Sequence, residues 1–232
     1  QATISADYFG VFAGLIEKSL GKGKDFVGLM SNGTSGDINN ISFRVSRPRQ
    51  ERFQRMNEVA KLVANRVLAA HQKVRFQKDI TLAMEQTLLT LKNRQPTAKE
   101  IAFAKAVLSD QPPNPLPRLA EAYAHRTLAL ANGSREEEIV LQALRLGEVG
   151  ITSIPCEVLC EIGLTLKAKS PLPQATFTIE LANGHNGYLP TPRQHALGGY
   201  ETWMGTCTLE ILASEKIKKT LLKMLEKVAD SD

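Results

Sequence analysis

The stretch Asn183-Gly-His-Asn-Gly-Tyr-Leu-Pro-Thr-Pro-Arg-Gln-His-Ala-Leu-Gly-Gly-Tyr-Glu201 gathers phenols, imidazoles, a guanidinium and a carboxylate in one place. Gly184, Gly187, Gly198 and Gly199 admit positive φ or close backbone approach. Pro190 and Pro192 fix φ and stop pairing, so the sequence predicts neither a regular helix nor a regular strand here. A long rigid loop costs conformational entropy without filling a core, and binding and catalytic groups collect on such loops. His185 and His195 can bind a metal or relay a proton; the alternative is a pair of exposed or hydrogen-bonded loop histidines. By themselves, Tyr188 and Tyr200 read as half-buried anchors with hydrogen-bonded hydroxyls.

Two further polar turns stand where strands are expected to end: Asn32 to Asn40, and Pro155-Cys-Glu157. Loops at strand ends are where α/β folds gather their chemistry. Ser31-Asn-Gly-Thr-Ser-Gly-Asp37 lacks the spacing and the lysine of a phosphate loop, and no G-x-S-x-G nucleophile elbow occurs. Asp37 suits either a bond to its own turn or a place behind a metal ligand, and Asn39 suits the wall of a site. Glu157 reads as lying in the first turn of a helix, where the dipole alone would favour a carboxylate by about 0.3–1 kcal/mol.

The elements that position these turns follow from periodicity. Residues 5–20 predict a helix capped at Ser5, and Phe26-Val-Gly-Leu-Met30 a short buried strand. Over 51–72, Phe53, Met56, Ala60, Val63 and Val67 recur at three and four, the signature of an amphipathic helix. One or two strands are expected over 74–92, and Thr97 to Glu100 is a capping box opening a helix to about Ser109. Past the stiff 111–117 connector comes a helix over 117–131. Residues 138–154 form a hairpin around Gly147-Glu148, a pair suited to a type II′ turn. Pro155 then predicts a helix to about Lys167, Thr176 to Leu181 a strand, and 211–228 a helix with Ile217, Leu221, Leu225 and Val228 on one face. No internal repeat and no long linker interrupts this order, so the expectation is one α/β domain with a mixed sheet and flanking helices.

With 232 residues and 43% hydrophobic content, the chain can bury a substantial core, and 23% charged residues without low-complexity tracts argue against disorder. Its apolar runs fall short of the roughly 18 residues a transmembrane helix needs. A net charge of +5 is modest. The one basic concentration, Arg44, Arg47, Arg49, Arg52 and Arg55, lacks interleaved aromatics, so it reads as a solvated flank and no nucleic-acid partner is expected. Cys156, Cys160 and Cys207 make no disulfide framework; Cys156 and Cys160 read as small buried residues on one helix face. The chain opens in mid-pattern without an initiator Met, which predicts that an upstream portion is missing.

Pro155-Cys-Glu157, Asn183-x4-Tyr188-x-Pro-Thr-Pro192 and Gly199-Tyr-Glu201 resemble, in order and in the spacing of the two tyrosines, the neutral (non-lysosomal) ceramidase family. The Leu144-Arg-Leu-Gly-Glu148 hairpin, Ser5-Ala-Asp7 and Gly36-Asp37 fit the same pattern. The resemblance implies a zinc hydrolase in which Glu157 and Tyr188 coordinate Zn2+ together with two histidines upstream of residue 1, and Tyr200 stabilises the oxyanion. It further implies a small-molecule or lipid-like N-acyl substrate and a secreted or periplasmic location. Two features depart from the family. Asn39 stands where the family carries an active-centre serine, and no C-terminal immunoglobulin-like domain follows the 211–228 helix. The expected activity is therefore cleavage of an amide bond by metal-activated water. The alternative is a catalytically silent member that binds a ligand or a partner protein.

Overall fold

A computed structural model describes residues 4–21, 25–46, 50–172 and 176–231. Two compact units can be distinguished: residues 1–31 with 40–79, and residues 32–39 with 80–232.

The first unit is built on α1 (Asp7–Leu20) and α2 (Gln54–His71). Phe12 and Ile16 of α1 bury against Ala60 and Ala64 of α2, with Met30 and Val63 packed beside them. The 51–72 periodicity does mark a helix, but small residues make its contact, and Phe53 and Val67 of the apolar series are exposed. Phe26 to Met30 forms no strand, and Val27 and Leu29 are 71% and 77% exposed. Extended chain becomes a strand only where a neighbour supplies a ladder, and this unit contains no strand among its described residues. Of the arginine concentration, Arg47 and Arg49 lie outside the described residues; Arg55 pairs with Glu58 at 3.6 Å, and Arg52 lies over the Phe53 ring.

The second unit holds a mixed four-stranded sheet made of β1 (Leu82–Lys92), β2 (Glu136–Leu146), β3 (Val149–Ile154) and β5 (Phe177–Glu180), in the order β1-β2-β3-β5. Its first three strands are antiparallel and β3 pairs with β5 in parallel. Leu82 faces Leu146 and Lys92 faces Glu136, so β1 and β2 are matched along their length. Alternation sends Leu91, Ile139, Leu141 and Ala143 to one face. There they meet Ile217, Leu221, Leu225 and Val228 of α7 (Ala213–Ala229) and Ile162 and Leu166 of α5 (Cys160–Lys169). Each of these leucine, isoleucine and valine side chains, removed from water, contributes about 1.5–3 kcal/mol. Arg145 closes the C-terminus of α7, donating to the carbonyls of Val228, Ala229 and Ser231. The opposite face leaves Leu82 and Leu88 67% and 58% exposed. A helical pair, α3 (Ala98–Val107) and α4 (Ala120–Asn132), packs through Ala104, Val107 and Ala124, and the Thr97–Glu100 capping box is formed.

Two expectations near the polar turns are corrected. Pro155 does not open a helix: Glu157–Val158 is a strand, β4, paired in parallel with β6 (Tyr188–Leu189), and α5 begins only at Cys160. Pairing with a distant strand overrides the local helix-start signal. Cys156 is therefore buried ahead of β4 while Cys160 starts a helix, and the two share no helix face. The 183–201 loop also carries regular structure. Besides β6 it holds α6 (Pro192–Leu197), started by a Thr191–Gln194 capping box with Pro192 in the first turn, where its missing N–H costs nothing.

Candidate functional site

Glu157 and Tyr188 are register partners on the parallel strands β4 and β6. The Glu157 N–H donates to the Gly187 carbonyl at 2.9 Å, and the Tyr188 N–H donates to the Thr206 carbonyl at 3.0 Å. Backbone pairing on both edges of β6 thus fixes where the two side chains emerge. Burial first, and then the neighbouring Glu157 carboxylate, push the Tyr188 phenol well above its ordinary value. His185 Nε2 lies 3.4 Å from Glu157 Oε1.

Tyr200 begins a single 3-10 turn, Tyr200–Thr202, and stands edge-on to Tyr188 with ring centroids 5.6 Å apart. The aromatic chain continues to Trp203 at 5.5 Å and on to Tyr123 of α4 at 5.4 Å, each contact near-perpendicular, the geometry that ring quadrupoles favour. A hydrogen bond with Tyr123, and then burial, raise the Tyr200 phenol, while the charge of Arg126 pulls the other way. The Tyr123 hydroxyl is itself 2.8 Å from Thr206 Oγ1. Arg94 holds the turn from beneath, its guanidinium donating to the Thr202 carbonyl at 2.7 Å and to that of Cys207 at 3.3 Å. Glu157, His185, Tyr188 and Tyr200 open together onto a cavity of about 520 Å³, also lined by Arg126 and Glu137.

The polar turn at 32–37 is bolted to β4 from behind. Glu180, 4% exposed at the end of β5, accepts from Asn32 Nδ2 at 2.6 Å, from the Ser35 N–H at 3.1 Å, from the Ser35 hydroxyl, and from the Val158 N–H at 2.7 Å. The Gly36 N–H donates to the Val158 carbonyl at 2.8 Å. A Cβ on Gly36 would stand 2.7 Å from the Glu157 carbonyl oxygen, so this approach admits only glycine. Asp37 bonds neither its own turn nor a group at the cavity: its Oδ1 accepts from the Cys160 N–H at 2.7 Å and caps α5.

Three of the four residues singled out from the sequence, Glu157, Tyr188 and Tyr200, thus share one cavity. Asn39 is exposed and does not line it. His195 also lies off the cavity, 3.8 Å from Cys207 Sγ, with burial and then Arg94 lowering its imidazole. Among the described residues no group of three or more His, Cys, Asp or Glu side chains is set to hold a metal ion; Glu157 and Tyr188 offer two oxygen donors side by side. Sequence reasoning passed over Tyr123, Arg126 and Glu180. The last had a signal, a carboxylate falling on the inward positions of the Thr176–Leu181 alternation, whereas α4 gave none.

No family model and no curated protein matches the sequence. The fold does match solved structures. Neutral ceramidase from Pseudomonas aeruginosa superposes with a TM-score of 0.67 at 15% identity, over 97% of this chain and 41% of that one. A ceramidase complexed with C2 superposes with a TM-score of 0.64 at 14% identity, over 99% of this chain and 43% of that one. The chain spans about two-fifths of the length of these structures, and its mixed α/β fold is the one that they use over that portion.

Proposed function

We propose that this chain acts as a zinc-dependent hydrolase of an amide bond in a small-molecule or lipid-like N-acyl substrate. The observation that carries the reading is the register pairing of Glu157 with Tyr188, with Tyr200 edge-on to Tyr188 at the same cavity. Glu157 and Tyr188 would hold the metal, and a four-coordinate site takes two further donors, imidazoles in the resemblance. Bound zinc would supply a water acidified toward ~7 and a polarised carbonyl. Tyr200, its phenol raised, stays protonated at neutral pH and donates to the carbonyl oxygen as negative charge develops there. Tyr123 fixes that hydroxyl, and the aromatic contacts fix the ring. Asn39 supplies no nucleophile, so the oxygen added to the acyl carbon is that of water as the C–N bond breaks and the amine leaves with a proton.

A second reading has its own support: Asn39, standing where the resemblance has a serine, is exposed and off the cavity, as suits a member that binds without cleaving. Elemental analysis of the full-length purified protein beside Glu157→Ala, with fatty-acid release from N-acyl substrates, separates the two. The hydrolase reading expects about one zinc per chain, lost in the variant. Tyr200→Phe should keep zinc and lose about 10²–10³ in kcat. Wild-type protein with neither zinc nor N-acyl hydrolysis would sink the reading and leave a binding protein.

A further inference from the structure

We infer that Arg126 anchors an anionic group of the substrate, so that the preferred N-acyl compound carries an acid on its amine half. The inference takes from the hydrolase reading only the place of the acyl group; the anchor itself stands on geometry. Arg126 lies on α4 three residues after Tyr123 and lines the cavity of Glu157, Tyr188 and Tyr200. Its guanidinium carbon sits 5.0 Å from the centroid of the Tyr123 ring, a stacked placement. Opposite the side-chain stem lies the bare backbone of Gly205, where a Cβ would come within 2.6 Å of Arg126 Cβ and 3.2 Å of its Cδ. Gly205 also has φ +81°, left-handed backbone that favours glycine. Arg126 is an exposed residue, yet its stem runs beside Gly205 and its guanidinium beside the Tyr123 ring, which places the head at the cavity wall.

That head is unspent. Arg126 makes no hydrogen bond or ion pair with any other described residue, although a guanidinium carries five N–H donors in a fork matched to carboxylate, sulfonate and phosphate. The other charged groups at the cavity are already engaged or negative. Glu157 neighbours Tyr188 and faces His185, and Glu137 lies 3.4 Å from Asn186 Nδ2. A neutral substrate would leave the one lining guanidinium, on an exposed side chain, to water. An acid on the amine half would occupy it and place the amide against Tyr200.

Trp203, the chain's single tryptophan, touches both Tyr200 and Tyr123 and so reports on this wall by its fluorescence. The test titrates the purified protein with N-octanoylglycine and with the neutral N-octanoylethanolamine, for wild type and Arg126→Gln, and follows hydrolysis of both. The expected result is binding of the glycine compound about tenfold tighter by wild type. That gap should shrink as ionic strength rises, and in Arg126→Gln it should fall below about twofold. Equal affinities in wild type, no response to either compound, or a gap that survives in Arg126→Gln would overturn the inference. So would equal losses for both compounds in Arg126→Gln, the mark of an arginine acting on the oxyanion. The salt dependence of the wild-type gap stands as evidence should the variant fail to fold. Preference without cleavage supports the anchor and defeats the hydrolase reading, whereas cleavage of both compounds at equal kcat/KM does the reverse.

Discussion

Replacing Glu180 by Gln should cost stability, although Gln keeps the size and loses only the charge, and replacing it by Ala should cost more. The reason lies in how the carboxylate is shared. One oxygen accepts from Asn32 Nδ2 and the Ser35 hydroxyl, the other from the Ser35 and Val158 N–H groups. An amide serves one side fully at most: with its oxygen kept on the Ser35 and Val158 N–H groups, its NH2 faces the Asn32 NH2 and the Ser35 hydroxyl, and only the hydroxyl can turn to accept. Ala also strips the acceptor from the buried Val158 N–H, and a buried donor left unpaired costs about 1–3 kcal/mol. The part-buried donors of the 32–35 turn recover some of their loss from water, and removing a buried charge recovers some desolvation energy. The net expectation is a loss of about 1–2 kcal/mol for Gln and about 2–4 kcal/mol for Ala, a large share of a typical stability of about 5–15 kcal/mol. Urea unfolding followed by far-UV circular dichroism measures it, with Glu85→Gln on the sheet as a control expected within about 0.5 kcal/mol of wild type. Amide hydrogen exchange should accelerate over residues 32–37 while α7 stays protected. A Glu180→Gln protein as stable as the control would refute the four-donor account.

Two other expectations follow from packing and charge. Leu221→Ala, which empties a fully buried site between α7 and the sheet, should cost about 2–5 kcal/mol, whereas Leu88→Thr on the open face should stay within about 0.5 kcal/mol; thermal melts of both compare them. Glu161 is held below the ordinary carboxylate range, first by the Thr191 hydroxyl and then by Arg193 at 3.0 Å. A depressed carboxylate contributes stability above its unfolded value of about 4.3 and loses it as pH falls through the lower folded value. The midpoint of thermal unfolding should therefore drop on acidification below about pH 4, and less steeply in Arg193→Ala; identical pH profiles would discard the pair.

What could be read in advance was what depends on neighbours in sequence. The spacing of Ile217, Leu221, Leu225 and Val228 marked the buried face of α7, Thr97 and Glu100 marked a helix start, and the β2–β3 hairpin was found around Gly147-Glu148. What escaped depends on partners far along the chain. Phe26 to Met30 has the composition of a strand and no ladder to join, while Glu157 and Val158 have a helix-start signal and do find one. The site was legible as residue types, since Glu157, Tyr188 and Tyr200 do meet. Their mutual geometry was not, because it rests on backbone bonds at Gly187 and Thr206 and on the Arg94 guanidinium under the 200–202 turn.

Glu180 and Glu157 show how surroundings decide what a carboxylate is for. Both stand at or beside strand ends in the same unit, and the Val158 N–H that binds Glu180 follows Glu157 directly in the chain. Glu180 is enclosed, with both oxygens committed to backbone and side-chain donors that fix a turn. Glu157 keeps 30% of its side chain exposed, toward a cavity. Its partners are a phenol and an imidazole, groups that can give up a proton or turn toward an incoming ligand. A carboxylate whose lone pairs are all spent on the fold can hold a site in place but cannot bind within it. Of the two, Glu157 is therefore the carboxylate positioned to meet a ligand at the cavity, and Glu180 the one that holds the turn behind it.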